Sequence, residues 1–368
     1  MEAFLPDTRL VKLNNLGQSV WYDNLSREMI ANGELKKIID SGVRGLTSNP
    51  SIFEKAISSS EIYDEDIKKL ISRDLSDLEI YENLAVQDIK SAADLLKPTF
   101  ETSNKSDGFV SLEVNPHLAN DSKGTIEEAK RLVSQINRDN LMIKVPGTKE
   151  GLIAITELIS EGINVNVTLI FSLNFYNQVI DSYLEGLRKL ISKGKSPSNV
   201  SSVASFFVSR VDTAVDSNIS VPEALHGKTA ISNAKLAYEL FVDKFSSSEF
   251  YEMSNEGATL QRPLWASTST KNPNFSDVLY VEKLIGQNTV NTMPDPTLNA
   301  FLDHGEFDEA ITDDLIDAKI HLDQLNRLGL SLDLITDQLL QDGLNAFQNS
   351  FDDLIQNISS KRSTLNFV

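Results

Sequence analysis

Residues 141–151, LMIKVPGTKEG, set a single lysine, Lys144, inside an apolar run that otherwise reads as a buried strand. A strand flanked by apolar residues lies in a sheet covered on both faces, where an unpaired charge is costly and an amine tends to lose its proton instead. Lys144 is therefore expected to be paired or chemically employed, the ordinary alternative being a lysine at a strand end with its head in solvent. A desolvated amine attacks a carbonyl to form a Schiff base. That chemistry needs a proton shuttle for dehydration of the carbinolamine, and a base for the substrate hydroxyl whose proton loss breaks a carbon–carbon bond. Glu113 in GFVSLEVN and Asp23 in SVWYDN are the carboxylates placed for those two tasks. They could equally do no more than pair with Lys144.

What must position these groups is a repeating pattern along the chain. Short apolar runs rich in β-branched and aromatic residues occur at 19–24, 42–49, 108–115, 142–148, 163–171, 203–212, 263–270 and 288–294. Helix-like stretches, several opening on a Ser, Thr, Asp or Asn cap, lie between them at 64–96, 125–138, 173–193 and 224–245. Eight alternating units predict an α/β protein with a single (β/α)8 TIM-type barrel. A doubly wound sheet is the competitor, but no strand is followed by G-x-G-x-x-G and there is no P-loop. No linker or repeat interrupts the chain, so one domain over 1–368 is expected, with residues from about 306 to 368 forming extra helices on the barrel. The last helix could cover one mouth as a lid, although an outer structural helix is the more ordinary reading.

A barrel of this kind builds its site at the C-terminal ends of its strands. Nearly every predicted strand ends in polar residues: Asp23 and Asn24; Thr47, Ser48 and Asn49; Glu113 and Asn115; Lys144 and Thr148; Asn166 and Thr168; Ser205, Ser209 and Arg210; Ser267 through Lys271; Asn291 and Thr292. Asn115 and Thr148 read as turn or cap residues. Asn164, Asn166 and Thr168 alternate with apolar neighbours and share a face. A lumen holding an amine, two carboxylates, amides and hydroxyls suits a polar ligand and makes a poor structural core.

Composition narrows the class. The 34 basic and 53 acidic side chains leave a net charge of −19, which argues against nucleic acid or an anionic membrane as partner and requires a local cationic pocket for any anionic substrate. With no cysteine there is neither a disulfide, a thiolate metal site nor a cysteine nucleophile. His117, His226, His304 and His321 are scattered without ligand spacing, so no metal is expected. No basic leader or membrane-length apolar run is seen, and a cytoplasmic location is expected. A homo-oligomer is left open, because helices that pack on the barrel and helices that pack on a second copy carry the same apolar stripe.

The blocks GVRGLTSNPSIFEKAI, VSLEVNP, IKVPGTKEGLIAI, GINVNVTLIFS, FFVSRVDT and LWASTSTKNPNFSDVLYVEKLIGQNTVNTMP, in this order from about 19 to 305, resemble the transaldolase family, most of all its longer bacterial branch. The resemblance implies a class I aldolase-type barrel without cofactor. Such an enzyme moves a dihydroxyacetone unit between sugar phosphates in the non-oxidative pentose phosphate pathway. It implies Lys144 as the Schiff-base residue, Asp23 as acid/base on the hydroxyl at the bond that breaks, and Glu113 as a shuttle through a water held with Thr168. Asn49, Asn166, Ser205 and Ser267 would bind substrate hydroxyls, and Arg210 the phosphate. Where the shorter branch has a second phosphate-binding arginine, this chain has STSTKNP, leaving Lys271 for that task as a less directional point charge. Ser209 replaces a glycine of that branch. The neighbouring possibilities are an aldolase that cleaves fructose 6-phosphate and releases free dihydroxyacetone, and a catalytically silent barrel. Phe206 and Phe207 fit the transferase by resemblance.

Overall fold

Eight parallel strands close in sequence order into one barrel in the computed structural model, which describes residues 7–365. They are β1 (Gln18–Tyr22), β2 (Gly45–Thr47), β3 (Val110–Glu113), β4 (Leu141–Pro146), β5 (Val165–Ile170), β6 (Ser202–Phe207), β7 (Gln261–Ala266) and β8 (Thr289–Met293), with β8 pairing back onto β1. The (β/α)8 barrel read from the sequence is the fold observed. Residues 1–6 and 366–368, which the one-domain reading includes, lie outside the described residues.

Several element boundaries differ from expectation, two of them with a clear physical reason. The run 203–212 is not one strand: β6 ends at Phe207, and Ser209–Asp216 is a helix. Val208, Val211 and Val215 are all buried there, a helical spacing that the strand-like composition masked. Arg210 therefore sits in the first turn of a helix. The stretch 64–96 is likewise two helices, Asp64–Ile71 and Asp77–Thr102. The second restarts at Ser76, whose hydroxyl accepts from the Glu79 N–H while the Glu79 side chain accepts from the Ser76 N–H, a reciprocal cap.

The N-terminal end of the barrel is sealed by side chains. Trp21 lies over Gly45, where a Cβ would come within 2.5 Å of the indole, so only glycine leaves room for the ring. The indole N–H donates to Asp107 (3.0 Å), which also takes the guanidinium groups of Arg44 (3.2 Å) and Arg262 (3.1 Å). With the floor filled, a ligand can enter only from the opposite mouth.

That mouth is crossed by the C-terminal helix Leu332–Leu365, which packs on helices Pro50–Ser58, Asp77–Thr102 and Ser209–Asp216 and on β5. The expectation of an outer helix is corrected here. The helix is pinned along its length: Ser51 donates to Ser350 (2.8 Å), Asn357 to Glu54 (2.7 Å), Lys361 pairs with Asp64 (2.6 Å) and Arg362 with Asp77 (3.0 Å), while Phe351 meets Tyr81 edge-on at 5.6 Å. An apolar stripe announces that a helix is buried, but not against what.

Candidate active site

Strand register does the first part of the assembly. Glu113 on β3 pairs with Lys144 on β4, and Lys144 with Asn166 on β5, so the three side chains leave the sheet on one face at one level. Lys144 is only 5 % exposed; its ammonium donates to the Ser48 carbonyl (3.0 Å) and stands 3.6 Å from Glu113 Oε2. Burial pushes the Glu113 carboxyl up to about 7, the nearby Lys144 ammonium opposing the shift and Asp23 adding to it.

Asp23 follows β1 and faces the same space. Thr47, at the end of β2, donates to its Oδ1 (2.6 Å) and lies 2.7 Å from the Thr292 hydroxyl of β8, which becomes the donor in that second bond. Burial raises the Asp23 carboxyl above its usual range, with the Lys144 charge and then the Thr47 hydrogen bond pulling it back. Two carboxyls of raised pKa thus flank one buried amine.

The cavity at the mouth measures about 160 Å³ and is lined by Asp23, Asn49, Lys144, Thr168, Ser205, Arg210, Ser267 and Lys271 among others. Asn49 spends its side-chain oxygen capping Pro50–Ser58 (Ile52 N–H, 3.1 Å), which leaves its amide NH₂ for the cavity. Thr168 Oγ1 and Glu113 Oε2 are both buried without a hydrogen-bond partner among the described residues, so each has capacity for a water or a substrate hydroxyl. Asn166 is fully buried and stands behind the cavity wall: it accepts from Ser205 (2.7 Å) and donates to Ser111 (3.1 Å), reaching the cavity through Ser205.

Arg210 has no carboxylate within salt-bridge distance among the described residues; its guanidinium lies 5.2 Å from the Phe207 ring centroid, and burial lowers its pKa from the usual value. Lys271, on the loop after β7, is exposed. Ser209 and Ser267 hydroxyls are 2.9 Å apart, and Ser267 holds a φ of 57°. Leu169, beside Thr168, holds a φ of 61° where the β5–β6 register slips. Non-glycine residues in the left-handed region are held there by their surroundings, and both re-aim side chains at the cavity rim.

Sequence reading missed several contributors. Thr47 and Thr292 were visible as strand-end hydroxyls, but their bond to Asp23 depends on β1, β2 and β8 being neighbours. Phe347 of the C-terminal helix, whose ring centroid is 5.9 Å from Lys144 Nζ, carried no local signal at all. Larger hollows, about 550 Å³ beside Lys235 and about 340 Å³ beside Arg138, do not include Lys144. Among the described residues no group of three His, Asp or Glu side chains is placed to hold a metal ion.

A closed (β/α)8 barrel with a buried amine, two carboxyls of raised pKa and, among the described residues, an arginine without a carboxylate partner at one mouth is the architecture of a barrel enzyme. Residues 20–358 match the family model described as transaldolase/fructose-6-phosphate aldolase. The chain is 45% identical to the "Transaldolase" of Trichodesmium erythraeum over 96% of this chain and 97% of that one. It is 43% identical to "Transaldolase 2" of a Nostoc species (98% and 99%) and 42% identical to the "Transaldolase" of Neisseria gonorrhoeae (95% and 99%). The chain belongs to the transaldolase/fructose-6-phosphate aldolase family.

Proposed function

We propose that this chain is a transaldolase that carries a dihydroxyacetone unit on Lys144, from sedoheptulose 7-phosphate or fructose 6-phosphate to glyceraldehyde 3-phosphate or erythrose 4-phosphate. The observation that carries the reading is the buried Lys144 amine between Glu113 and the cavity, with Asp23 facing the same space. Lys144 attacks the ketose carbonyl, and Glu113, through a water shared with Thr168, moves the protons that let water leave as the iminium forms. Asp23 then takes the proton of the hydroxyl beyond the bond that breaks; the bond's electrons enter the iminium, an aldose phosphate departs, and an enamine stays on Lys144. Attack of the enamine on the acceptor aldehyde returns that proton through Asp23, and hydrolysis of the new imine frees the product.

Arg210 and Lys271 hold the phosphate; that Arg210 has no carboxylate partner among the described residues supports this, since a half-buried guanidinium without a counter-ion there suits an anionic ligand. Asn49, Ser205 and Ser267 hold hydroxyls, with Asn166 orienting Ser205. We place the reaction in the cytoplasm, where phosphorylated sugars are retained; no helix among the described residues is long and apolar enough to cross a membrane.

The test is borohydride reduction in the presence of fructose 6-phosphate, followed by mass spectrometry. A dihydroxyacetone-sized adduct on the peptide containing Lys144 is expected, and an unmodified lysine in folded protein at saturating sugar would overturn the mechanism. Assaying free dihydroxyacetone with and without erythrose 4-phosphate separates transfer from simple aldol cleavage.

A further inference from the structure

The C-terminal helix reaches into the site at two points. Phe347, 7 % exposed, lines the cavity with its ring centroid 5.9 Å from Lys144 Nζ. One turn earlier Gly343 passes so close to β5 that a Cβ there would stand 2.9 Å from Leu169 Cδ2 and 3.5 Å from Arg210 Nη1. The side chain it meets belongs to the strained residue of the β5 bulge, next to Thr168. With Ser350, Asn357, Lys361 and Arg362 all bonded to the barrel's helices, the backbone that carries Phe347 is held in place.

The surroundings of the amine are correspondingly unequal. Glu113 and the Ser48 carbonyl supply polar contact within the barrel wall, and Phe347 presents an aromatic surface from the mouth. An enamine left on Lys144 has two fates. It can attack an acceptor aldehyde, or it can be protonated on carbon; water then adds across the C=N bond, and the C–N bond of that adduct breaks to release dihydroxyacetone and the free amine. The two fates part at the enamine carbon, since hydrolysis of an imine follows in both; protonation there draws on solvent, and an apolar surface held at the mouth disfavours it without hindering a larger acceptor that brings its own binding contacts.

We infer that Phe347 is a specificity-determining residue, a fixed apolar cover that keeps solvent from protonating the carbon of the Lys144-bound enamine and so biases the site toward transfer over release of free dihydroxyacetone. This rests on the Schiff-base reading above. Arrangement within the fold explains why the residue is so distant in sequence from the rest of the site: no barrel strand lies above the mouth, so a cover has to come from a segment that crosses it. Gly343 sets how low that segment can run.

The experiment compares wild type with Phe347→Ala and Phe347→Leu, a separate sample of each being reduced with borohydride in the presence of fructose 6-phosphate. An adduct on Lys144 in all three shows that the intermediate forms and that the variants fold; its absence in wild type would sink the underlying Schiff-base reading and not the cover. The decisive readout is the ratio of free dihydroxyacetone to transfer product at a fixed erythrose 4-phosphate concentration. A rise of about tenfold is expected in Phe347→Ala, the equivalent of lowering one barrier relative to the other by about 1.4 kcal/mol, with the ratio restored toward wild type in Phe347→Leu. An unchanged ratio in Phe347→Ala with the adduct present, or equal ratios in the Ala and Leu variants, would overturn the inference, because a merely structural role lowers both fates together.

Discussion

Arg210 leans on Phe207, its guanidinium carbon 5.2 Å from the ring centroid, and has no acidic neighbour in salt-bridge contact among the described residues of a chain whose net charge is −19. A cation left without a counter-ion in such a protein is available to an anion brought from outside. Arg210→Ala is expected to raise KM for fructose 6-phosphate about 100-fold, since charge-assisted hydrogen bonds contribute about 1.5–3 kcal/mol each. Turnover of unphosphorylated fructose is expected to change far less. Equal losses with both sugars would show that Arg210 supports the fold of the mouth and does not hold phosphate.

Replacing Lys144 by Ala or Arg should lower kcat by at least about 10⁴-fold, because arginine keeps the charge but cannot form the imine. The barrel should remain folded by circular dichroism. In Lys144→Ala the buried Glu113 loses the charge that opposes its raised pKa, and it becomes neutral at pH 7. Residual turnover near wild type in either variant would exclude covalent catalysis at this position.

Glu113, pushed up to about 7, should appear in the pH profile. The resting enzyme needs this carboxylate ionised to receive a proton as Lys144 attacks, so kcat/KM is expected to rise with pH through an apparent pKa near 7. Glu113→Gln should be slow and lack that limb. A limb that survives in the Gln variant belongs to another group.

Asp212 offers a stability test independent of the chemistry. Burial raises its carboxyl to about 7, outweighing hydrogen bonds from the Ala230 N–H (2.7 Å) and the Tyr280 hydroxyl (2.9 Å). The folded state therefore holds a proton that the unfolded state has released between pH 3.8 and about 7. Stability contributed by this site falls as pH rises through that window, by at most about 1.4 kcal/mol per pH unit. Asp212→Asn keeps an acceptor for Ala230 and removes the titration, so its urea midpoint should depend less on pH between 4 and 7, as roughly this linkage requires. Parallel slopes in the two proteins would contradict the assignment.

How much of this was legible beforehand differs between residues for physical reasons. Lys144 was conspicuous because an ammonium in an apolar strand is expensive, and the expense is local. Glu113 and Asp23 were legible through the rule that places sites at strand ends. Arg210 was identified but assigned to a strand, because valine and phenylalanine favour strands and hid a helical spacing that starts at Val208. Asn166 was recognised as facing inward, but the sequence could not tell a ligand contact from a buried residue that holds Ser205.

The sequence by itself determined the order of strands and helices, hence the closed barrel, and the chemical types gathered at its mouth, because alternation, capping and the cost of buried charge are read from neighbours along the chain. Tertiary structure alone decided which of these groups stand beside one another. The 3.6 Å separation of Lys144 from Glu113, the bond from Thr47 to Asp23, and the passage of Phe347 over the amine each join residues on different elements. Such distances are set by barrel closure and by the path of the last helix across the mouth, and neither is encoded within a local window of sequence.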